Sequence, residues 1–292
     1  MARGAALAIA VAAIAYAGLL TWLRLDEDRL VFHAEAGKLR PAPAELGLDA
    51  RDVRFVGLDS TPLVARVVPP PADVSADSAP WILYFHGAGG NVGTPGYDRA
   101  WARFRQRGFG VFAVDYRGFG ESGGHPTEAG LYRDADSAYA YLTGTLHVAP
   151  GRIVIYGYSL GSGVAIDLAS RVSAAGLIVE GAFTSISDRG AELYPFVPVR
   201  WLARNRFASI EKVARVSMPK LFIHARDDVI VPIAHAERLF AVARGPKEFQ
   251  AVTGGHVHAF ERDPEFLGAV DRFARELGLL APTPAWHAPG TP

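Results

Sequence analysis

Hydrophobic and polar positions divide the chain into three parts. Residues 5–23 form an uncharged apolar run, and residues 24–51 mix charges and prolines without sustained periodicity. Further on, two alternating segments at 53–58 and 63–68 flank a short polar turn, a pattern that predicts a β-hairpin. We therefore expect an apolar N-terminal segment, a stem over 24–51 and a folded domain over 52–280.

The rest of the domain is a series of short, continuous apolar runs. These runs begin at Trp81, Gly110, Arg152, Gly176, Lys220 and Glu248. Runs that do not alternate are typical of strands buried on both faces. Helix-length segments separate most of them, and a last helix is predicted near 263–278. This alternation predicts an α/β fold with a mostly parallel central sheet and helices on both faces.

The apolar run at the N-terminus is long enough to cross a bilayer, since its 19 residues span about 28 Å as a helix. Arg3 precedes it, and Trp22 suits an interfacial position. We predict a single-pass membrane anchor over 1–23, with the domain on the non-cytoplasmic side. A cleaved signal peptide, with Ala15 and Ala17 at cleavage-type spacing, and a buried helix of a soluble protein are the alternatives.

Composition narrows the function classes. The chain has 292 residues, of which 50% are hydrophobic, so one large core can form. Thirty Lys and Arg balance thirty Asp and Glu, and nothing indicates binding to nucleic acid. The sequence contains no cysteine, which excludes disulfides, thiolate metal sites and cysteine nucleophiles. We predict no cofactor and no metal. The proline-containing tail, 281–292, is predicted to be disordered.

A G-x-S-x-G motif at 157–161 stands between a buried strand and a helix. Such a sharp turn strains the serine and requires very small neighbours, which the flanking glycines provide. The serine then lies at a helix N-terminus, where negative charge is favoured. This context predicts that Ser159 is the nucleophile of an α/β-hydrolase fold. An ordinary glycine-rich turn with a capping serine is the alternative.

A second glycine-rich segment, H-G-A-G-G-N at 86–91, follows the strand that begins at Trp81. Acyl transfer builds negative charge on the substrate oxygen, which needs two fixed N–H donors. In this fold one donor belongs to the residue after the nucleophile and the other to this loop. We therefore predict an oxyanion hole formed by Leu160 and Ala88. A plain glycine-rich turn is the alternative.

The acid of the triad should follow the serine in the chain and stand at the end of a strand. Asp228, after the run that begins at Lys220, is the predicted acid. Asp227 is the next choice. Glu180 is a more distant one and fits better as a structural hydrogen-bond partner.

The base should come last, and His256 follows two glycines after the next strand. His258 is the alternative base. A metal site made of His256, His258 and Asp228 is a further alternative, but it leaves Ser159 unexplained.

Six motifs occur in an order that resembles one known family. They are Y-F-H-G-A-G-G-N at 84–91, D-Y-R-G-F-G-E-S-G-G at 115–124, G-Y-S-L-G at 157–161, E-G-A-F-T-S at 180–185, R-D-D-V-I-V-P at 226–232 and G-G-H at 254–256. The chain resembles membrane-anchored α/β-hydrolase domain proteins of the bud-emergence-related type, near the serine-aminopeptidase-like hydrolases. The resemblance implies a short N-terminal membrane segment, and the family's serine, acid and histidine map onto Ser159, Asp228 and His256. Val257 and His258 stand where many relatives have Asn and Asp.

These features predict a serine hydrolase that cleaves carboxylic ester or thioester bonds of a small acyl-ester or lipid-like substrate. An aminopeptidase-like amidase, which needs an acidic pocket for a substrate ammonium, and a non-catalytic binding protein are the alternatives. The stretch 184–215 lies where this fold inserts a cap. Phe196 and Trp201 within it are expected either to cover an acyl pocket or to pack on the core. The sequence predicts no oligomeric state.

Overall fold

A computed structural model of the protein describes residues 2–75 and 78–281; beyond Ala281, the predicted tail lies outside these residues. Eight strands form one sheet. The strands are β1 (Arg51–Val56), β2 (Pro62–Val68), β3 (Trp81–Phe85), β4 (Gly110–Asp115), β5 (Ile153–Tyr158), β6 (Gly176–Glu180), β7 (Lys220–Ala225) and β8 (Lys247–Val252).

The sheet has the order β1-β2-β4-β3-β5-β6-β7-β8. β1 and β2 form the predicted antiparallel hairpin, and β2 also pairs antiparallel with β4. All the other pairs are parallel. The predicted α/β-hydrolase fold with a mostly parallel sheet is therefore confirmed. Parallel strands place their carboxyl ends at one edge of the sheet, where this type of fold builds its sites.

Helices connect and cover the strands. They are α1 (Ala2–Leu25), α2 (Glu27–Phe32), α3 (Tyr97–Arg105), α4 (Glu128–Gly144), α5 (Leu160–Ala169), α6 (Ile186–Leu193), α7 (Val199–Leu202), α8 (Ser209–Lys212), α9 (Ala234–Val242), α10 (Gly255–Arg262) and α11 (Pro264–Glu276). The last helix predicted near 263–278 corresponds to α11, which Asp263 caps and Pro264 begins. The pattern of apolar positions did not predict α10.

Two hydrophobic cores lie on the two faces of the sheet. On one face, residues such as Leu131 of α4, Val164 of α5 and Leu239 of α9 are fully buried. On the other, Trp101 of α3 and Phe266 of α11 are fully buried. The central strands are buried along their whole length, which explains why their sequences are continuous rather than alternating.

The predicted stem, 24–51, contacts the domain. Phe32 is fully buried, and its carbonyl accepts a hydrogen bond from Gly89 N–H at 2.9 Å. Ala34 forms a parallel bridge with Gly90. The chain before the domain therefore supports the loop that carries Ala88.

The apolar N-terminal segment forms α1. Among the residues that the structure describes, α1 is the one helix long and apolar enough to cross a membrane. None of its residues is buried. A helix whose apolar side chains are all exposed to water would be costly, so its composition fits a membrane anchor.

Candidate active site

Ser159 occupies the sharp turn between β5 and α5. Its backbone has φ 51° and ψ −118°, a conformation that side-chain-bearing residues rarely adopt. A Cβ added at Gly157 would lie 2.3 Å from the carbonyl oxygen of Gly161, and one at Gly161 would lie 2.0 Å from that of Phe85. Both glycines of the motif are thus required by close backbone approach, and the turn holds the serine at the edge of the sheet.

Three side chains from different segments of the chain form a hydrogen-bonded series at this edge. His256 Nε2 lies 2.8 Å from Ser159 Oγ, and His256 Nδ1 lies 2.7 Å from Asp228 Oδ2. The imidazole of His256 belongs to the first turn of α10. The Tyr158 hydroxyl donates to the His256 carbonyl at 3.1 Å, which helps to hold this turn in place. The structure therefore brings together Ser159, Asp228 and His256 in hydrogen-bonded order.

Asp228 is held as an ionised acceptor. Its Oδ1 accepts backbone N–H groups of Ile230 at 2.9 Å and Val231 at 2.8 Å. Burial alone would raise the pKa of Asp228, but hydrogen bonds from His224 and His256 outweigh it and hold that pKa well below its usual range. The carboxylate is therefore charged at neutral pH and can stabilise a positive imidazole.

The neighbouring carboxylate has a different environment. Asp227 Oδ1 lies 3.0 Å from the backbone nitrogens of Gly254 and Gly255, and does not contact the imidazole of His256. Hydrogen bonds from this backbone lower the pKa of Asp227. Asp227 thus stabilises the turn that precedes His256.

His258, the alternative base, points elsewhere. Its Nδ1 lies 3.7 Å from Glu261, and its side chain is half exposed. Within residues 2–75 and 78–281, no group of three His, Asp or Glu side chains is arranged to hold a metal ion. The alternative metal site of His256, His258 and Asp228 is therefore not assembled.

The two predicted oxyanion donors border the serine. Leu160 is the first residue of α5, and Ala88 lies in the loop after β3, where a Cβ on Gly87 would approach Ser159 Cβ to 3.3 Å. Among the described residues, neither the Leu160 nor the Ala88 N–H donates a hydrogen bond. An N–H group without an acceptor at each of these two positions is what the predicted oxyanion hole requires.

A cavity of about 490 Å³ opens beside Ala88. Its lining includes aromatic residues of β3, β5, α3 and α11, and Val257 and His258 lie at its α10 side. A volume of this size suits a small organic group. The cavity therefore provides room for part of a substrate beside Ala88 and Tyr158, although Ser159 itself does not line it.

Glu180 lies in this cavity, away from the imidazole. The Tyr156 hydroxyl donates to its Oε2 at 2.5 Å, and among the described residues its other oxygen receives no donor. Burial raises the pKa of Glu180 to about 7, against the lowering effect of the Tyr156 hydrogen bond, and the charge of Asp228 adds to the rise. A carboxyl group that sequence reasoning did not place in a pocket thus lines this cavity. In the sequence, the only feature that pointed to this carboxyl group was the glutamate at the end of the apolar strand G-L-I-V-E.

The cap region, 184–215, contains α6, α7 and α8 and remains small. Phe196 and Trp201 are 89% and 92% exposed, and neither lines the cavity beside Ala88. The expectation that they cover an acyl pocket or pack on the core is therefore wrong. This segment lies away from the cavity because it contacts the N-terminal helices. Glu27 of α2 accepts the backbone N–H of Arg204 at 2.8 Å.

Comparisons with known proteins show the family of the chain. Residues 77–210 match the family described as serine aminopeptidase, S33. The uncharacterized protein MT2364 of Mycobacterium tuberculosis is 35% identical over 281 residues, 93% of this chain and 95% of its own. Protein bem46 of Schizosaccharomyces pombe is 31% identical over 220 residues, 71% of this chain and 70% of its own. The chain belongs to the α/β-hydrolase family.

This α/β-hydrolase has further relatives among named enzymes. The lysophosphatidylserine lipase ABHD12 of Danio rerio is 36% identical over 218 residues, 67% of this chain and 54% of its own. The esterase Pf2001 of Pyrococcus furiosus is 20% identical, covers 83% of this chain and 98% of its own, and superposes with a TM-score of 0.67, which shows the shared fold. The family match and the similarity to this lipase show that the protein is a hydrolase, while the likeness to Pf2001 shows the fold alone.

Proposed function

We propose that this α/β-hydrolase cleaves carboxylic ester or thioester bonds through an acyl-enzyme formed on Ser159. The observation that carries the proposal is the continuous hydrogen-bonded line from Ser159 Oγ through His256 to Asp228, with contacts of 2.8 and 2.7 Å. A hydroxyl in this setting loses its proton to the imidazole as it attacks a carbonyl. Other serine arrangements in the described residues lack such a base.

The chemistry divides among the neighbouring groups. His256 takes the proton of Ser159 and returns it to the leaving group, while Asp228 holds the imidazole tautomer and stabilises its cation. The N–H groups of Ala88 and Leu160 stabilise the negative oxygen of the tetrahedral intermediate, each by about 3 kcal/mol. A water molecule, activated in the same way, then hydrolyses the acyl-enzyme.

The substrate we propose is an acyl ester or a lipid-like ester. The cavity beside Ala88 supports this, and so does the similarity to a lipase acting on a lysophospholipid. We further propose that residues 1–23 anchor the protein in a membrane, that 24–51 connect to a catalytic domain over 52–280, and that this domain lies on the non-cytoplasmic side. Arg3 before the apolar run supports that orientation.

A panel of p-nitrophenyl esters, matched thioesters and an aminoacyl amide tests the reaction class. We expect turnover of esters or thioesters, and a fall of at least about 10⁴-fold in Ser159→Ala. Ser162→Ala, three residues along the same helix, is the matched control and should keep near-normal rates. Equal activity in Ser159→Ala and the unaltered protein would refute the assignment.

One observation favours a second candidate function. Glu180 offers a carboxyl oxygen to the cavity, so the site can accept a substrate ammonium, as an aminopeptidase-like amidase requires. Under this alternative, Glu180→Gln would raise KM for an aminoacyl amide and leave simple esters unchanged. An equal effect on both substrate types would argue for the ester hydrolase alone.

A further inference from the structure

The outer part of the cap has large apolar side chains that no other part of residues 2–75 and 78–281 covers. We call residues 193–202 the apolar cap segment. Leu193 is 54% exposed, Tyr194 60%, Phe196 89% and Trp201 92%. Several large apolar side chains exposed within ten residues are unusual on a soluble monomer and indicate an interaction surface.

Contacts with α1 fix where this surface lies. The Tyr16 hydroxyl donates to the Phe196 carbonyl at 2.6 Å, and the Arg24 guanidinium donates to the Leu202 carbonyl. Tyr16 and Arg24 are eight residues apart in the sequence, which corresponds to about 12 Å along a helix axis. The apolar cap segment therefore runs alongside the second half of α1.

We propose that the apolar cap segment inserts into the same bilayer leaflet that α1 crosses. With Arg24 at the membrane surface, the contact at Tyr16 places Phe196 among the acyl chains. Interfacial segments bury their apolar side about 5–10 Å deep, which agrees with the 12 Å separation once a moderate helix tilt is included. The proposed occupant of this surface is thus lipid, not another protein.

Several backbone groups of the segment are paired or lack an N–H, which suits a medium without water. Pro195 and Pro198 have no N–H group, Val197 N–H donates to Tyr194 O at 2.9 Å, and Trp201 N–H donates to Pro198 O at 3.0 Å. Unpaired backbone groups are expensive in hydrocarbon, and these contacts remove several of them. The Tyr16 hydroxyl satisfies the Phe196 carbonyl in the same way.

Arg200 is the one cationic residue within the segment, and its charged end can remain in water. Arg200 is paired with Asp188 at 3.1 Å, and its side chain is 67% exposed. A long arginine stem can lie along apolar surface while its charged end stays at the headgroups. Its charge therefore stays compatible with insertion, and it also suits anionic lipid headgroups.

Insertion would bring the loop that carries Asp228 close to the membrane. Arg189 of α6 donates to the Ile230 carbonyl at 2.8 Å, which joins the cap to the loop that carries Asp228. Val229 and Ile230 in that loop are 82% and 56% exposed. On the proposed function, on which this step rests, a lipid ester then reaches Ser159 from the bilayer without crossing water.

Depth measurement on the full-length protein in phosphatidylcholine vesicles tests the insertion. Because the chain has no cysteine, Phe196→Cys and Trp201→Cys each create a unique site for an environment-sensitive fluorophore. Val56→Cys, 71% exposed on β1, is the matched control, and Leu7→Cys in α1 is the membrane reference. We expect blue-shifted emission and quenching by brominated lipid at 196, 201 and 7 only.

The opposite pattern would overturn the proposal. If the labels at 196 and 201 are quenched by aqueous iodide as strongly as the label at 56, and lipid quenchers have no effect, the segment stays in water. This measurement needs no turnover, so it decides insertion even if the ester hydrolase assignment fails.

Kinetics then separate membrane delivery from chemistry. Phe196→Ser with Trp201→Ser should lower the rate on a long-chain ester embedded in vesicles by about tenfold and leave a soluble short-chain ester within about twofold. Val56→Ser with Leu58→Ser removes two side chains that are 71% and 72% exposed and should change neither rate. An unchanged rate on the embedded ester would contradict delivery from the bilayer.

Discussion

Two regions of the molecule depart from the usual distribution of polar and apolar residues in opposite ways. At the carboxyl edge of the sheet, the charged side chain of Asp228 is only 1% exposed, and hydrogen bonds come to it from two backbone groups and an imidazole. In the apolar cap segment, Trp201 is 92% exposed. A buried charge and an exposed large apolar side chain are the informative departures, since ordinary surface residues need no explanation.

The contrast separates two requirements of the molecule. The buried carboxylate has a chemical partner, and both of its oxygens accept hydrogen bonds. The exposed aromatic residues have no partner within the described residues and are explained by a second environment, the bilayer. We therefore expect substitutions at the sheet edge to change catalysis or folding strongly, and substitutions in the cap segment to change only membrane-dependent behaviour.

The adjacent carboxylates give the largest expected difference. Asp228→Asn should lower kcat/KM by about 10³–10⁴-fold, because the amide no longer holds the imidazole in the required tautomer. Asp227→Asn keeps an oxygen for the N–H groups of Gly254 and Gly255, so we expect less than about a tenfold change. Rates on a soluble ester check the pair. Equal losses would show that the two carboxylates share one role.

Two glycine substitutions should change stability in opposite directions. Gly161→Ala places a methyl group 2.0 Å from the Phe85 carbonyl oxygen, so we expect a loss of about 3 kcal/mol or more. Gly144→Ala, on α4 with nothing within 4 Å, should stabilise by about 0.5–1 kcal/mol. Thermal unfolding in detergent measures both. A tolerated Gly161→Ala would show that the serine turn is less constrained than its contacts indicate.

Glu180 predicts a pH dependence of stability. Because its folded pKa of about 7 lies above the ordinary value of 4.5, the folded state holds the proton more tightly than the unfolded chain does. The free energy of unfolding should therefore fall as pH rises from about 4.5 to about 7, by an amount on the order of 3 kcal/mol relative to Glu180→Gln.

Unfolding midpoints of both proteins at about pH 5 and about pH 8 measure this difference. Comparing the two proteins cancels the titration of other groups. Parallel pH profiles would show that the carboxyl is not buried as described.

The smallest expected effect is the change in stability when side chains of the apolar cap segment are replaced. Phe196→Ser combined with Trp201→Ser removes side chains that are almost fully exposed, so the free energy of unfolding in detergent should change by no more than about 0.5 kcal/mol. A loss of several kcal/mol would mean that these side chains pack on protein and would remove the contrast between the two regions.

Sequence patterns were sufficient where backbone geometry leaves few choices. The strands follow from continuous apolar runs, and Ser159 follows from glycines that only a sharp strand-to-helix turn requires. Asp228 and His256 were placed by chain order and by their position after a strand. The structure sets these three side chains in hydrogen-bonded order, while their catalytic roles stay predictions.

Other features depended on contacts between distant parts of the chain. The raised pKa of Glu180 results from burial beside Tyr156, which its own strand does not reveal. The helix α10 was missed because its eight residues mix polar and apolar positions without a clear period. The orientation of Phe196 and Trp201 could not be predicted, since an acyl pocket and a bilayer both select apolar side chains.

Labelling with a fluorophosphonate probe, followed by peptide mass spectrometry, tests the central claim most directly. The account predicts a single adduct on Ser159, labelling slowed by at least about 10³-fold in His256→Ala, and normal labelling in His258→Ala. An adduct on another residue, or equal labelling rates in the two histidine variants, would contradict it.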